Sequence, residues 1–172
     1  MRLTESDLSL ADICRSVEQR MRGVRCLQGV DLPVILLPHF NDLGLPVSPK
    51  DPTAYNRPDD AILVNALVFP SRPPEIAQFA IAHEIGHHAH DVGITTSDMG
   101  FKIVHTCLVA DWLATQWGFV QGMRIEQLAT RGEEFCERLS TTASEKEFLE
   151  WVVDWERRFT LAEMLGKPMR PA

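Results

Sequence analysis

The chain has 172 residues, 45% of them hydrophobic, enough to bury one core, and it reads as a single domain over residues 1–172. A formal net charge of −7 offers no electrostatic footprint for direct contact with nucleic acid or with an anionic membrane surface. No apolar run approaches the length of a membrane span, and four scattered cysteines make no disulfide framework, so the expectation is a cytoplasmic protein with reduced thiols.

The first residues, Met1 to Asp7, lead into an amphipathic segment and not into the uninterrupted apolar stretch of a secretion signal. A helix is expected over residues 5–22, because Leu10, Ile13, Val17 and Met21 fall on one stripe and Gly23 can end it. Two strands are expected next, a short one at 32–37 bounded by prolines and a longer one at 61–69. The Pro-rich connection between them, 38–58, is too long for a tight turn and reads as a loop, either a lid or substrate wall or plain surface.

Pro73 and Pro74 then open a helix expected over 74–91, with Glu75 in its first turn and Gly93 to close it. Within it, His83-Glu84-Ile85-Gly86-His87 is a His-Glu-x-x-His sequence. Four residues are about one helical turn, so both imidazoles face one way and can grip one Zn²⁺, while Glu84 can act as general base on the attacking water. Ile76, Phe79, Ile81 and Ile85 make the helix a buried one, where two histidines and a carboxylate need partners that a metal would supply. His88 belongs to another face. His90 is about 10 Å further along the axis than His83, too far to share an ion with it, and reads as a supporting or structural residue.

A catalytic zinc takes three protein ligands, so the third is sought on a second helix expected over 97–117, ended by Gly118. Asp98, His105, Cys107, Asp111 and Glu126 are candidates. Cys107 and Asp111 share a face one turn apart, and His105 lies about 200° round from Cys107, so His105 and that pair cannot both face the metal. Further helices are expected at 124–139 and 144–165, making a helical C-terminal part over 122–165. Ser144 and Glu147 form a capping box, and Phe148, Trp151, Val152, Trp155 and Phe159 form a core stripe. The fold class is therefore α+β, mostly helical, with a short sheet next to the metal helix.

The residues Asp60 to Asn65, Phe79 to His90 and Ala110 to Ala114 resemble the ImmA/IrrE-type zinc peptidases, with a second-helix pattern also similar to the Ste24/HtpX-type peptidases. The resemblance spans residues 61–119. It implies a small zincin-like domain, a metal-dependent peptidase and a protein or peptide substrate of the DNA-binding repressor kind. In those families the second helix carries Glu-x-x-Ala-Asp/Asn, with Glu as third ligand and Asp or Asn supporting a ligand histidine; aligning Ala110-Asp111 puts Cys107 at the Glu position. Cys107 is then either the third ligand or a small core residue beside an Asp111 that reaches the zinc itself, or neither binds. The favoured assignment is His83, His87 and Cys107 as ligands, Glu84 as base, and Asp111 on the free N–H of a ligand histidine.

The resemblance also implies that the strand before the metal helix, 61–69, takes an extended substrate as an added strand, against which stands a fully paired core strand. Tyr55, His39 and His105 are the available oxyanion donors, with nothing in the sequence to choose among them. Two other functions compete with the peptidase: a zinc-stabilised binding module without activity, and a deformylase-like hydrolase of small amides.

Overall fold

The computed structural model describes residues 9–36, 52–65, 69, 72–94 and 103–164, with the backbone alone at 103–105 and 159–164. The fold is α+β. Helix α1 (Leu10–Arg22) leads through a 3₁₀ turn to β1 (Val34–Leu36), β2 (Thr53–Asn56) and β3 (Ala61–Val64), followed by α2 (Pro74–Asp91), α3 (Ile103–Gln116), α4 (Val120–Arg131), α5 (Glu133–Thr141) and α6 (Glu145–Met164). The expected helical residues 5–8, 97–102 and 165, the strand residues 37 and 66–68, and the candidates His39 and Asp98 lie outside the described residues.

Helix α2 is the centre of the molecule and packs against α1, α3, α4, β2 and β3. Its ends follow from local chemistry. Pro74 occupies the first turn, where its missing N–H costs nothing. At the other end Gly93, with φ of 78°, turns the chain so that its own N–H and that of Ile94 return to the carbonyls of His90 and Ala89. Ile76, Phe79, Ile81, Ala82, Ile85 and Ala89 are all buried, so the helix is wrapped on most sides.

The sheet order is β1-β3-β2, with β1 parallel and β2 antiparallel to β3. Two expectations change here. The strand expected over 61–69 ends at Val64, and it is central: all four of its residues are buried and both of its edges are paired, so it has no free edge for a substrate strand. The expected loop 38–58 contains β2, where Thr53 and Tyr55 suit a strand and Pro52 and Pro58 bracket it. A short 3₁₀ turn over Arg57–Asp59 and Asp60, held at φ 46°, reverse the chain into β3.

The helix expected over 124–139 is two helices. Gly132 sits at φ 84° and ψ 177°, outside the helical region, and breaks the run into α4 and α5. Ser144 caps α6 as its spacing predicts, its Oγ accepting the Glu147 N–H at 3.4 Å. Phe148 and Trp155 are buried against Phe135 of α5, and Val152 of the same stripe is buried too. Trp112 and Gln116 of α3 donate to the carbonyls of Leu139 and Thr142, which ties the C-terminal helices to the centre.

Gly86 has a different task. A methyl group there would lie 2.8 Å from Ala110 Cα and 3.0 Å from Ala110 Cβ, so α2 and α3 touch backbone to backbone at this point. Gly86→Ala must push the helices apart, and a loss of about 1–3 kcal/mol in urea unfolding is expected, in line with overpacked cores. Unchanged stability would show that α3 does not rest on Gly86.

Candidate metal centre

The close crossing brings the facing sides of α2 and α3 together, and there the sequence places histidines on one helix and a cysteine and an aspartate on the other. His83 Nε2 and His87 Nε2 are 3.1 Å apart. Two nitrogens on one tetrahedral ion at about 2.0–2.1 Å each are separated by about 3.3 Å. Cys107 Sγ is 3.8 Å from His87 Nε2, and the three ligand atoms lie within 4.8 Å of one another. Cys107 is exposed, so its thiol can adjust towards the nitrogens without disturbing the core.

Asp111, one turn beyond Cys107, is buried and does not join this group. Its Oδ1 lies 2.7 Å from His83 Nδ1, and its Oδ2 accepts the Gln127 Nε2–H at 3.1 Å. A carboxylate on Nδ1 directs Nε2 of His83 at the other two ligand atoms, the arrangement that orients metal-ligating histidines. Burial alone would depress the His83 pKa, but the Asp111 carboxylate, joined by Cys107 and Glu84, outweighs it and holds the imidazole well above its ordinary value. His87 is the opposite case: burial, reinforced by the charge of His83, pushes it down to about 3, so it offers a neutral imidazole.

Glu84 projects from the next face of α2 and is 8% exposed. Its Oε1 accepts the Thr53 hydroxyl at 2.7 Å. Burial raises its pKa, and the nearby His83, the Thr53 hydroxyl and the Tyr55 main-chain N–H act the other way. A carboxylate that is buried, raised and hydrogen-bonded beside two converging imidazoles has the properties of a proton acceptor.

The remaining candidates fall elsewhere. Glu126 is on the outside of α4, 3.3 Å from the Arg72 guanidinium. His88 is buried on the sheet side of α2, with Nδ1 2.8 Å from Asp60 Oδ1 and 3.2 Å from the Tyr55 hydroxyl. That hydroxyl donates to Asp60 at 2.8 Å, so Tyr55 is engaged away from the ligand group. His90 is not in the ligand group, and the His105 side chain lies outside the described residues. The exposure of Cys107 removes the reading in which it is a small core residue.

Two contributors were missed by sequence reasoning, Gln127 and Thr53. Gln127 sits on an amphipathic helix with no motif to mark it, and Thr53 lies in what reads as a proline-rich loop. No family model, curated protein or solved structure matches the chain, so the site stands on its own geometry.

The four cysteines are free, and their burial separates them. Cys14 and Cys136 are buried, with burial pushing the Cys14 thiol up to about 11, so both should resist alkylation until the protein unfolds. Cys26 and Cys107 are exposed and should react. Added Zn²⁺ is expected to protect Cys107 alone, as read by mass mapping of iodoacetamide adducts, and equal labelling of Cys107 with and without the ion would remove it from the ligand set.

Proposed function

We propose that this chain is a zinc-dependent metallopeptidase that hydrolyses a peptide bond, of the kind seen in the ImmA/IrrE-type peptidases. The observation that carries the reading is the convergence of His83 Nε2, His87 Nε2 and Cys107 Sγ beside the buried Glu84 carboxylate. The donor set fits zinc: two imidazoles and a thiol make a His₂Cys site, borderline-soft, with three protein ligands and therefore one position open to water or substrate. A site with only a structural purpose has no use for a base next to the open position. When bound, zinc supplies a lowered water pKa and a polarised substrate carbonyl.

The side chains do the rest. His83 and His87 present their Nε2 atoms, and Asp111 keeps the proton of His83 on Nδ1. Glu84 takes a proton from the attacking water on its carboxylate and hands it to the leaving nitrogen, so that the amine departs neutral. Burial of Glu84 brings its basicity closer to neutral pH, where a carboxylate can both accept and return a proton. The substrate is a protein or peptide, and a DNA-binding regulatory protein is the partner class that the family resemblance brings. The negative charge of the chain accords with recognition of the regulator and not of its nucleic acid. Among the described residues no helix is long and apolar enough to cross a membrane.

Glu84→Gln tests the reading. Cleavage of a peptide library, followed by mass spectrometry, is expected to fall about 100-fold or more with zinc content unchanged, the usual scale of a lost general base. Equal cleavage by wild type and Glu84→Gln would remove the proposed mechanism. Asp111→Ala should weaken zinc binding about 10–100-fold, with Gln127→Ala weaker in the same direction, measured by competition with a chelating dye. Undiminished affinity in Asp111→Ala would mean that His83 needs no carboxylate behind it.

A further inference from the structure

Strand β2 meets helix α2 through a series of polar contacts in matching order. Thr53 Oγ1 donates to Glu84 Oε1 at 2.7 Å, the Tyr55 hydroxyl lies 3.2 Å from His88 Nδ1, and beyond the strand end Arg57 Nε donates to Asp91 Oδ2 at 2.6 Å. The spacing has a geometric basis. Residues two apart on a strand are separated by about 6.7 Å and residues four apart on a helix by about 6 Å, so a strand lying along a helix in the same direction can pair 53 with 84 and 55 with 88. Asp60 closes the arrangement by holding both the Tyr55 hydroxyl and His88 Nδ1, at 2.8 Å each. His88 Nε2 is buried with no hydrogen-bond partner among the described residues, so Nδ1 is the polar hold on this imidazole.

We infer that β2 is the positioning element for the general base, with Thr53 fixing the Glu84 carboxylate and the Tyr55–His88–Asp60 contact setting the register that brings Thr53 to it. What Glu84 does once positioned rests on the peptidase reading above; the contact itself does not. A glutamate on a helix has three rotatable torsions, and one tethered oxygen removes most of that freedom. Threonine suits the task, because its branched Cβ holds χ1 stiffly on a strand and so holds the hydroxyl too. The contact also satisfies a carboxylate that burial would otherwise leave short of donors. Thr53 is thus a positioning residue that acts through Glu84, not a group that touches substrate.

The test compares Thr53→Val, which keeps the shape and removes the hydroxyl, with Thr53→Ser, which keeps the hydroxyl. In metal-free protein labelled with ¹³C-glutamate, the Glu84 carboxyl resonance is identified by its loss in Glu84→Gln. It is expected to move in Thr53→Val and to return to the wild-type position in Thr53→Ser. Thr53→Ala should move it in the same way and covers the case in which valine disturbs the strand. In the zinc-loaded protein, Thr53→Val is expected to lose about 10–100-fold in kcat on the cleaved library peptides with KM and zinc content unchanged, the scale of a misplaced catalytic group. Thr53→Ser should recover most of it. A Glu84 resonance that stays in place in both Thr53→Val and Thr53→Ala overturns the inference. Full activity of Glu84→Gln would instead overturn the peptidase reading and leave the resonance result standing.

Discussion

The contact between Gly86 and Ala110 is the constraint on which the site depends. Two helices whose backbones meet this closely bring their side chains at the crossing within reach of one ion, and the ligand candidates are placed around that point. His83 and His87 flank Gly86 on one helix, and Cys107 and Asp111 flank Ala110 on the other. A larger residue at Gly86 would push α3 away and move the thiol from the imidazoles. The approach is reinforced from outside. Gly122 of α4 lies where a methyl would be 2.1 Å from the Glu75 carbonyl oxygen, so α4 also lies directly on α2 and carries Gln127 to Asp111.

The electrostatics of the crossing follow from burial and from one fixed carboxylate. Burial favours neutral imidazoles on both histidines, and left alone it would make the two alike. Asp111 breaks the symmetry: His83 is held as a strong base and His87 as a weak one. Each state serves a cation in its own way. A neutral His87 needs no proton removed before it donates, whereas His83 must give up the proton on Nε2 to make way for a cation and keeps the one on Nδ1 that faces Asp111. The chain from Gln127 through Asp111 to His83 makes α4 part of the site although it carries no ligand.

What could be read in advance divides along the distance in sequence between partners. The His-Glu-x-x-His turn, its proline start and its glycine end are local facts of one helix, and the structure has them where the spacing puts them. The face shared by Cys107 and Asp111 was also local, but which of the two turns to the ligand group was not. That depends on the angle at which α3 crosses α2, which no periodicity carries. β2 was hidden for another reason. Four residues bracketed by prolines are too few for an alternating pattern to stand out, and its partners on α2 are more than 30 residues away. The break at Gly132 was visible as a glycine inside an apolar stripe, and the amphipathic pattern on both sides masked it.

In the proposed peptidase, the identity of the third ligand and the hold on the base bear on each other. A thiolate donates more charge to a bound cation than a carboxylate does, and Asp111 adds negative charge through His83, so a His₂Cys centre of this kind polarises a carbonyl less strongly. Less of the acceleration can then come from the cation, and more must come from proton transfer by a well-placed base. On that reading Glu84 meets the need. Glu84 is buried, which raises its basicity, and it is tied to β2, which limits its motion. A carboxylate left loose in the same position would gain the basicity and lose the orientation, and proton transfer depends on both. In this arrangement the edge strand and the cysteine compensate one another across a single helix.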